Sequence, residues 1–569
     1  MKSFFSPNKP MLANGATGSE LQRRGMTAGQ CPVLWVLEHP AQYEDLASAY
    51  VHAGAAFVAT PTFGGNPAEL SHFGLQDRCE ALNEAAVRLA RRAAGPAAVA
   101  AEMGPTGQLL HPLGELDFED AVALYRRQVV GLLRGQPDFF LLETFSDPQE
   151  ARAAVLAIKE LCDLPFVISF TFENGRTMTG ATPQAIAAIF TALGAAAVGC
   201  NCSGGPASLQ PVVQTLAAHT PLPIFAKPNA GIPEFIDGQA RYPMSPEDFA
   251  RETAQLARSG AAILGGCCGA SPAHIAALGA QLPHAQLLRP QSAGSLFVAS
   301  ARRVAAITAG GPLCLVGERI NPSGKAALSA DLQQGGTEEA LRMAREQWSA
   351  GVHALDVNVG AGGIDEKAAL LCVLEDLTLR SEAPLFVDCA DAAAMEAALR
   401  RTCGRVACNS IAFGPHADQL LSACKQYGAL PVLMPLDGWS LPMGTAGRHA
   451  LLDKLLRLAQ DHGFGPRDVL VDCATPCLAM GIAAQPAVDF VADLRARHIA
   501  TIAGISNVSF RLPDRDTLNS AYLCHLAAAG LSAALINPTG AMRAAAAACD
   551  ALRGTDEYAI GYIQQMRKA

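Results

Sequence analysis

Two sets of eight short apolar runs, each set alternating with helical stretches over about 280 residues, predict an α/β protein built as two TIM (β/α)8 barrels in tandem. The runs are apolar on both faces, as strands of a parallel sheet covered by helices must be. Polar signals rich in Gly, Asn, Asp, Thr and Cys follow the runs directly. That is the strand end where such barrels place their chemistry.

The first set opens at Met11-Leu12-Ala13, which leads into Asn14-Gly15. Ala55 to Ala59 runs into Thr60-Pro61-Thr62-Phe63, Ala97 to Ala101 into Glu102-Met103-Gly104-Pro105, and Phe139 to Leu142 into Glu143-Thr144. Pro165 to Phe170 is the fifth run. Ala195 to Val198 ends at Gly199-Cys200-Asn201-Cys202, and Pro223 to Ala226 leads into Lys227-Pro228-Asn229-Ala230-Gly231. The eighth, Ala261 to Leu264, meets Gly265-Gly266-Cys267-Cys268-Gly269. Residues 282–300, with Leu-Pro-His-Ala-Gln and then Arg-Pro-Gln-Ser-Ala-Gly-Ser, break the rhythm, so the first barrel is placed at 1–290 and the second at 301–569.

The second set repeats the count. Leu313 to Val316 opens into Gly317-Glu318-Arg319-Ile320-Asn321-Pro322, Val352 to Leu355 into Asp356-Val357-Asn358, and Leu385 to Val387 into Asp388. Val406-Ala407 precedes Cys408-Asn409-Ser410, Leu430 to Leu436 ends at Asp437, and Val469 to Val471 ends at Asp472. Thr501 to Ile505 leads to Ser506-Asn507, and Ala533 to Ile536 to Asn537-Pro538. An Ala-rich helix near 541–553 and a short tail follow.

Composition excludes several classes. Charged residues are 17% of the 569 and the net charge is −9, with no basic stripe, so nucleic acid is not the expected partner. No stretch has the 18 or more consecutive apolar residues of a membrane span, and Met1 to Pro10 does not read as a signal peptide. The 17 cysteines show no small secreted framework, which points to reduced thiols in a cytoplasm.

Cys267 and Cys268 are adjacent, bracketed by glycines and set at a strand end. Glycine lets the backbone crowd close to whatever the sulfurs hold. Cys202 stands at another strand end. Three thiolates from two strand ends would bind zinc and leave one position open, the layout of a catalytic site. The alternative is that all three are small buried cysteines.

In the second set, strand-end Asp and Asn at 356, 358, 388, 409, 437, 472 and 507 suit a flat, donor-rich heterocycle such as a pterin. Alternatively these residues cap the helices that follow. Arg319 belongs to the same constellation or is an ion-pair partner of an acidic neighbour.

In this order the halves resemble the first two modules of the cobalamin-dependent methionine synthase family. The first is similar to the homocysteine S-methyltransferases at Gly104-Pro105, Glu143-Thr144, Gly199 to Cys202, Pro228 to Gly231 and Gly265 to Gly269. The second is similar to the pterin-binding methyltransferases at Gly317 to Pro322, Asp356 to Asn358, Asn409-Ser410 and Gly504 to Phe510. The resemblance implies that Cys202, Cys267 and Cys268 hold zinc, with Asn229 as a fourth ligand when no thiol is bound. It implies that Glu143, with Thr144 and Asn14 nearby, takes the amino group of homocysteine. It places the pterin on Asp356, Asn358, Asn409, Asp472 and Arg319, with Asn507 beside N5 of 5-methyltetrahydrofolate. Cobalamin would sit on a separate protein or module, since its Asp-x-His-x-x-Gly motif is absent from this sequence. Three residues depart from the family pattern: Asn14 for Asp, Pro61 for Asn and Arg511 for Gly.

The expected activity is methyl transfer from 5-methyltetrahydrofolate, through a corrinoid carried in trans, to zinc-activated homocysteine. Two alternatives stay open. One is a corrinoid-independent thiol methyltransferase using a small methyl donor. The other is a folate-binding or corrinoid-docking module that has lost one activity.

Overall fold

A computed structural model describes residues 4–5, 9–236, 239–285, 287, 294–438, 440–442 and 444–568. The chain divides into two compact units, Met1–Ser292 and Ala293–Ala569. Among the described residues, no helix is long and apolar enough to cross a membrane.

In the first unit the strands are β1 (Met11–Leu12), β2 (Phe57–Ala59), β3 (Ala98–Met103), β4 (Phe139–Phe145), β5 (Phe166–Phe170), β6 (Ala197–Cys202) and β7 (Ile224–Pro228). A short antiparallel pair, β8 (Glu234–Ile236) and β9 (Gln239–Arg241), precedes β10 (Ala261–Leu264). The eight parallel strands run in the order β1-β10-β7-β6-β5-β4-β3-β2. The two edge strands meet where Ala56 N–H donates to Leu12 O at 2.8 Å, so the sheet curls into a ring. Its interior is filled by Phe57, Ala100, Phe139, Leu141, Val167, Phe225 and Ile263, with Phe5 packed among them. The Phe5 ring meets Phe139 edge-on at 5.0 Å.

The second unit begins with an antiparallel pair, β11 (Leu296–Ala299) and β12 (Val304–Ile307). Its first strand lies within the 282–300 stretch where no strand was expected, ahead of residue 301. The barrel strands follow: β13 (Cys314–Ile320), β14 (Ala354–Val357), β15 (Leu385–Asp388), β16 (Ala407–Phe413), β17 (Leu430–Asp437), β18 (Leu470–Asp472), β19 (Ala500–Gly504) and β20 (Ala533–Ile536). They close in sequence order, β20 pairing back onto β13. Val298, Ala305 and Ile307 of the β11–β12 pair pack into the barrel core with Val316, Phe386, Leu430 and Ile502. The tail reads as a helix, Ile560–Lys568.

All sixteen predicted runs are strands of the two barrels, within a few residues of their expected bounds.

Candidate functional site

The end of β6 turns sharply. Cys202 and Ser203 adopt left-handed φ angles of 54° and 60°, conformations that cost free energy in non-glycine residues. The turn brings Cys202 to the vicinal pair after β10. The Sγ atoms of Cys202, Cys267 and Cys268 all lie within 4.8 Å of one another.

Backbone bonds fix this meeting. Cys267 N–H donates to Pro228 O at 2.7 Å, Ala230 N–H to Cys268 O at 3.0 Å and Asn229 N–H to Gly204 O at 2.9 Å. Gly269 is required twice over. Its φ is 80°, and a Cβ there would lie 2.3 Å from the Tyr242 side chain.

Asn201, fully buried, holds the floor of the site. Its Nδ2 donates to Thr144 Oγ1 at 2.7 Å and its Oδ1 accepts from Thr144 N–H at 3.0 Å and from the Ser169 hydroxyl. Nδ2 also lies 3.8 Å from Cys267 Sγ.

Hydrogen bonds from Cys202 and Cys267 hold the Cys268 thiol down at about 3, while the bonds to Cys267 and Cys268 push Cys202 up. The three soft donors suit zinc. So does Asn229, whose Oδ1 is buried without a hydrogen-bond partner.

Beneath the sulfurs lies a buried charge cluster. Lys227 and Glu143 are 3% and 5% exposed at their side chains, with Nζ 2.8 Å from Oε1 and 3.0 Å from Oε2. Lys227 Nζ also lies 3.5 Å from Asn14 Oδ1. Burial pushes the Glu102 carboxyl well above the usual range, and neighbouring Glu143 adds to this. Thr60 and Thr62 anchor the Glu102 backbone: Thr60 Oγ1 accepts from its N–H at 2.9 Å, and Thr62 Oγ1 donates to its O at 2.7 Å. Sequence reasoning named Glu143, Thr144 and Asn14 but missed Lys227, Glu102 and Asn201. The available signal was a Lys, a Glu and an Asn, each directly after or within an otherwise apolar run.

The second unit carries a cavity of about 590 Å³ lined by Glu318, Arg319, Asp356, Asp388, Asn409, Asp472 and Asn507, among others. Gly317 is needed behind it, because a Cβ there would lie 2.5 Å from Gln347 Oε1. Asn409 Nδ2 donates to Asp356 Oδ1 at 2.9 Å, and the Ser506 hydroxyl donates to Glu318 Oε1 at 2.6 Å.

Burial, with Asp388 close by, pushes Asp356 well up, and burial raises Glu318 and Asp388. Burial pushes Asp472 to about 6, although its Oδ1 accepts from Ala474 N–H at 2.7 Å. Four of the five acids lining the cavity thus resist being charged together. They suit a ligand that brings several N–H donors.

Not every strand-end residue faces this cavity. Asn358 is not among the residues lining it; its Oδ1 accepts from Gly360 N–H at 2.9 Å and its side chain hydrogen-bonds Asp388, so it positions that acid. Asp437 does not line it either. Arg319 does both things open to it, lining the cavity and lying 3.3 Å from Glu346 Oε2 in an exposed pair. Arg511 is exposed, with φ 63° and its guanidinium 5.5 Å from the centre of the Phe510 ring. The left-handed backbone explains why glycine suits this position.

Residues 11–282 match the family model for homocysteine S-methyltransferase, and residues 317–537 match that for pterin binding enzyme. A methionine synthase of Mycobacterium tuberculosis is 28% identical over 568 residues, covering 93% of this chain and 47% of that protein. One of Mycobacterium leprae is 27% identical over 575 residues, with the same coverage of 93% and 47%. The chain therefore spans about half the length of the curated relatives it matches. The crystal structure of an Escherichia coli homocysteine methyltransferase in its metallated form is 26% identical, covers 48% of this chain and 96% of its own, and gives a TM-score of 0.42. The first unit is thus similar to the homocysteine S-methyltransferases and the second to the pterin-binding enzymes.

Proposed function

We propose that the two units serve one methyl transfer, from 5-methyltetrahydrofolate in the second unit to homocysteine in the first, forming methionine. A corrinoid carried outside these units would accept the methyl group from one and donate it to the other. The observation that carries the thiol half is the convergence of three sulfurs within 4.8 Å at a barrel mouth. The folate half is supported by the acid-lined cavity with Asn507 on its wall.

Bound by Cys202, Cys267 and Cys268, with Asn229 as an exchangeable donor, zinc would hold the incoming thiol as its reactive thiolate. The protein's own residues set the geometry. Asn201 locks Thr144 against the sulfur site, and the β7 backbone fixes Cys267 and Cys268. In the second unit, Asp356, Asn409 and Asp472 would accept and donate along the pterin edge. Asn507, a neutral amide, would hydrogen-bond near N5 as charge changes there during departure of the methyl group. No disulfide joins the cysteines among the described residues, which suits a reducing cytoplasm.

The test has two arms. Zinc-loaded protein given free methylcobalamin and homocysteine should form methionine. Protein given methyl-labelled 5-methyltetrahydrofolate should pass label to free cob(I)alamin. Failure of the first arm overturns the thiol half, and failure of the second the folate half. Methionine formed from a small sulfonium donor without any corrinoid would replace the scheme with direct thiol methylation.

A further inference from the structure

We propose that Lys227, by pairing with Glu143, removes the thiol pocket's preference for acceptors that carry a free ammonium, so that the first unit accepts thiols with and without one. This deepens the thiol-methylating reading above and rests on it. Glu143 is the carboxylate that would receive a substrate amino group, and an internal ammonium already occupies it. Lys227 Nζ lies 3.0 Å from Glu143 Oε2 in a hydrogen bond and 2.8 Å from Oε1, with both side chains at most 5% exposed.

The rest of the cluster adds no spare negative charge. Glu102 lies against Glu143, and burial raises its carboxyl, so it adds little negative charge beside the Lys227–Glu143 pair. Asn14, 3.5 Å from the ammonium, is neutral where an aspartate would have supplied a second carboxylate. An incoming ammonium must then share one buried carboxylate with a lysine. Like charges at such range in a low dielectric repel strongly, and the arriving group loses its water as well. A thiol with a carboxylate and no amino group meets none of this.

The experiment compares homocysteine with 4-mercaptobutyrate, which lacks the amino group. Methylation from methylcobalamin gives KM and kcat, and calorimetric titration gives direct affinity for each thiol. In the wild type the two thiols should have KM values within about threefold of each other. Lys227→Met frees Glu143 and should shift the KM ratio toward homocysteine by about tenfold or more, with the calorimetric affinity ratio moving the same way. Lys227→Arg, which keeps the charge, should leave the ratio near the wild-type value. If Lys227→Met does not fold, Asn14→Asp supplies the missing carboxylate beside an intact Lys227 and should shift the ratio the same way.

A wild type that binds homocysteine about a hundredfold tighter than 4-mercaptobutyrate overturns the inference. So does a ratio that neither Lys227→Met nor Asn14→Asp moves. Both leave the thiol-methylating reading standing, whereas methylation of neither thiol defeats that reading itself.

Discussion

Replacing Asp472 by Asn tests the electrostatics of the acid-lined cavity in the second unit. The carboxyl is buried at the end of β18, and its pKa rises from 3.8 to about 6. A folded pKa above the unfolded one means that the folded state binds the proton more tightly. The penalty is therefore absent below about 3.8, grows as pH rises, and is complete above about 6. At about 1.4 kcal/mol per pH unit, charging Asp472 costs the fold about 3 kcal/mol at neutral pH. Asn is isosteric and keeps the acceptor for Ala474 N–H, so Asp472→Asn should remove this cost and little else. For a unit of about 280 residues, about 3 kcal/mol corresponds to a rise in Tm of roughly 5 °C. The assay is calorimetric melting of the full chain from pH 4 to pH 8, following the transition that 5-methyltetrahydrofolate shifts. The variant should melt well above the wild type at pH 8 and close to it at pH 4. A difference that stays flat across that range refutes the reasoning.

Other consequences are as direct. Cys267→Ser should lower zinc content from about one ion per chain to near zero by elemental analysis, because one of three converging thiolates is lost. Gly269→Ala forces a left-handed alanine against Tyr242, which should cost at least about 1–2 kcal/mol from the backbone alone and weaken zinc retention, read by denaturant melting and metal content together. Asn507→Ala should slow methyl transfer to cob(I)alamin about 10²-fold or more while 5-methyltetrahydrofolate affinity, measured by fluorescence titration, changes little. Folate affinity of the wild type should fall as pH drops through about 6, because a protonated Asp472 loses part of its acceptor capacity.

Much of this arrangement was legible in the residues. Each barrel strand announced itself as an apolar run, because a strand covered on both faces must be apolar throughout. Cys202 and the Cys267-Cys268 pair stood out because small reactive residues at strand ends have no packing reason to be there. The β11–β12 pair was missed because its four-residue strands follow a Pro- and Ser-rich stretch that reads as linker. Lys227 was missed for a different reason. Its meaning lies in Glu143, 84 residues earlier, and a lone lysine after an apolar run looks solvent-facing until the ring closes around it. Asn358 was assigned to the ligand because alternation along a strand does not say which polar residue faces the cavity and which braces its neighbour.

The plugs at the barrel floors also govern traffic. Phe5 seats itself against Phe139 in one unit, and Val298 and Ile307 fill the base of the other. Among the described residues these side chains fill the barrel interiors, so a ligand reaches each site through the mouth formed by the strand ends. Spent and fresh molecules must pass through that opening in turn, so departure of the old occupant becomes a step that can set the pace of every cycle.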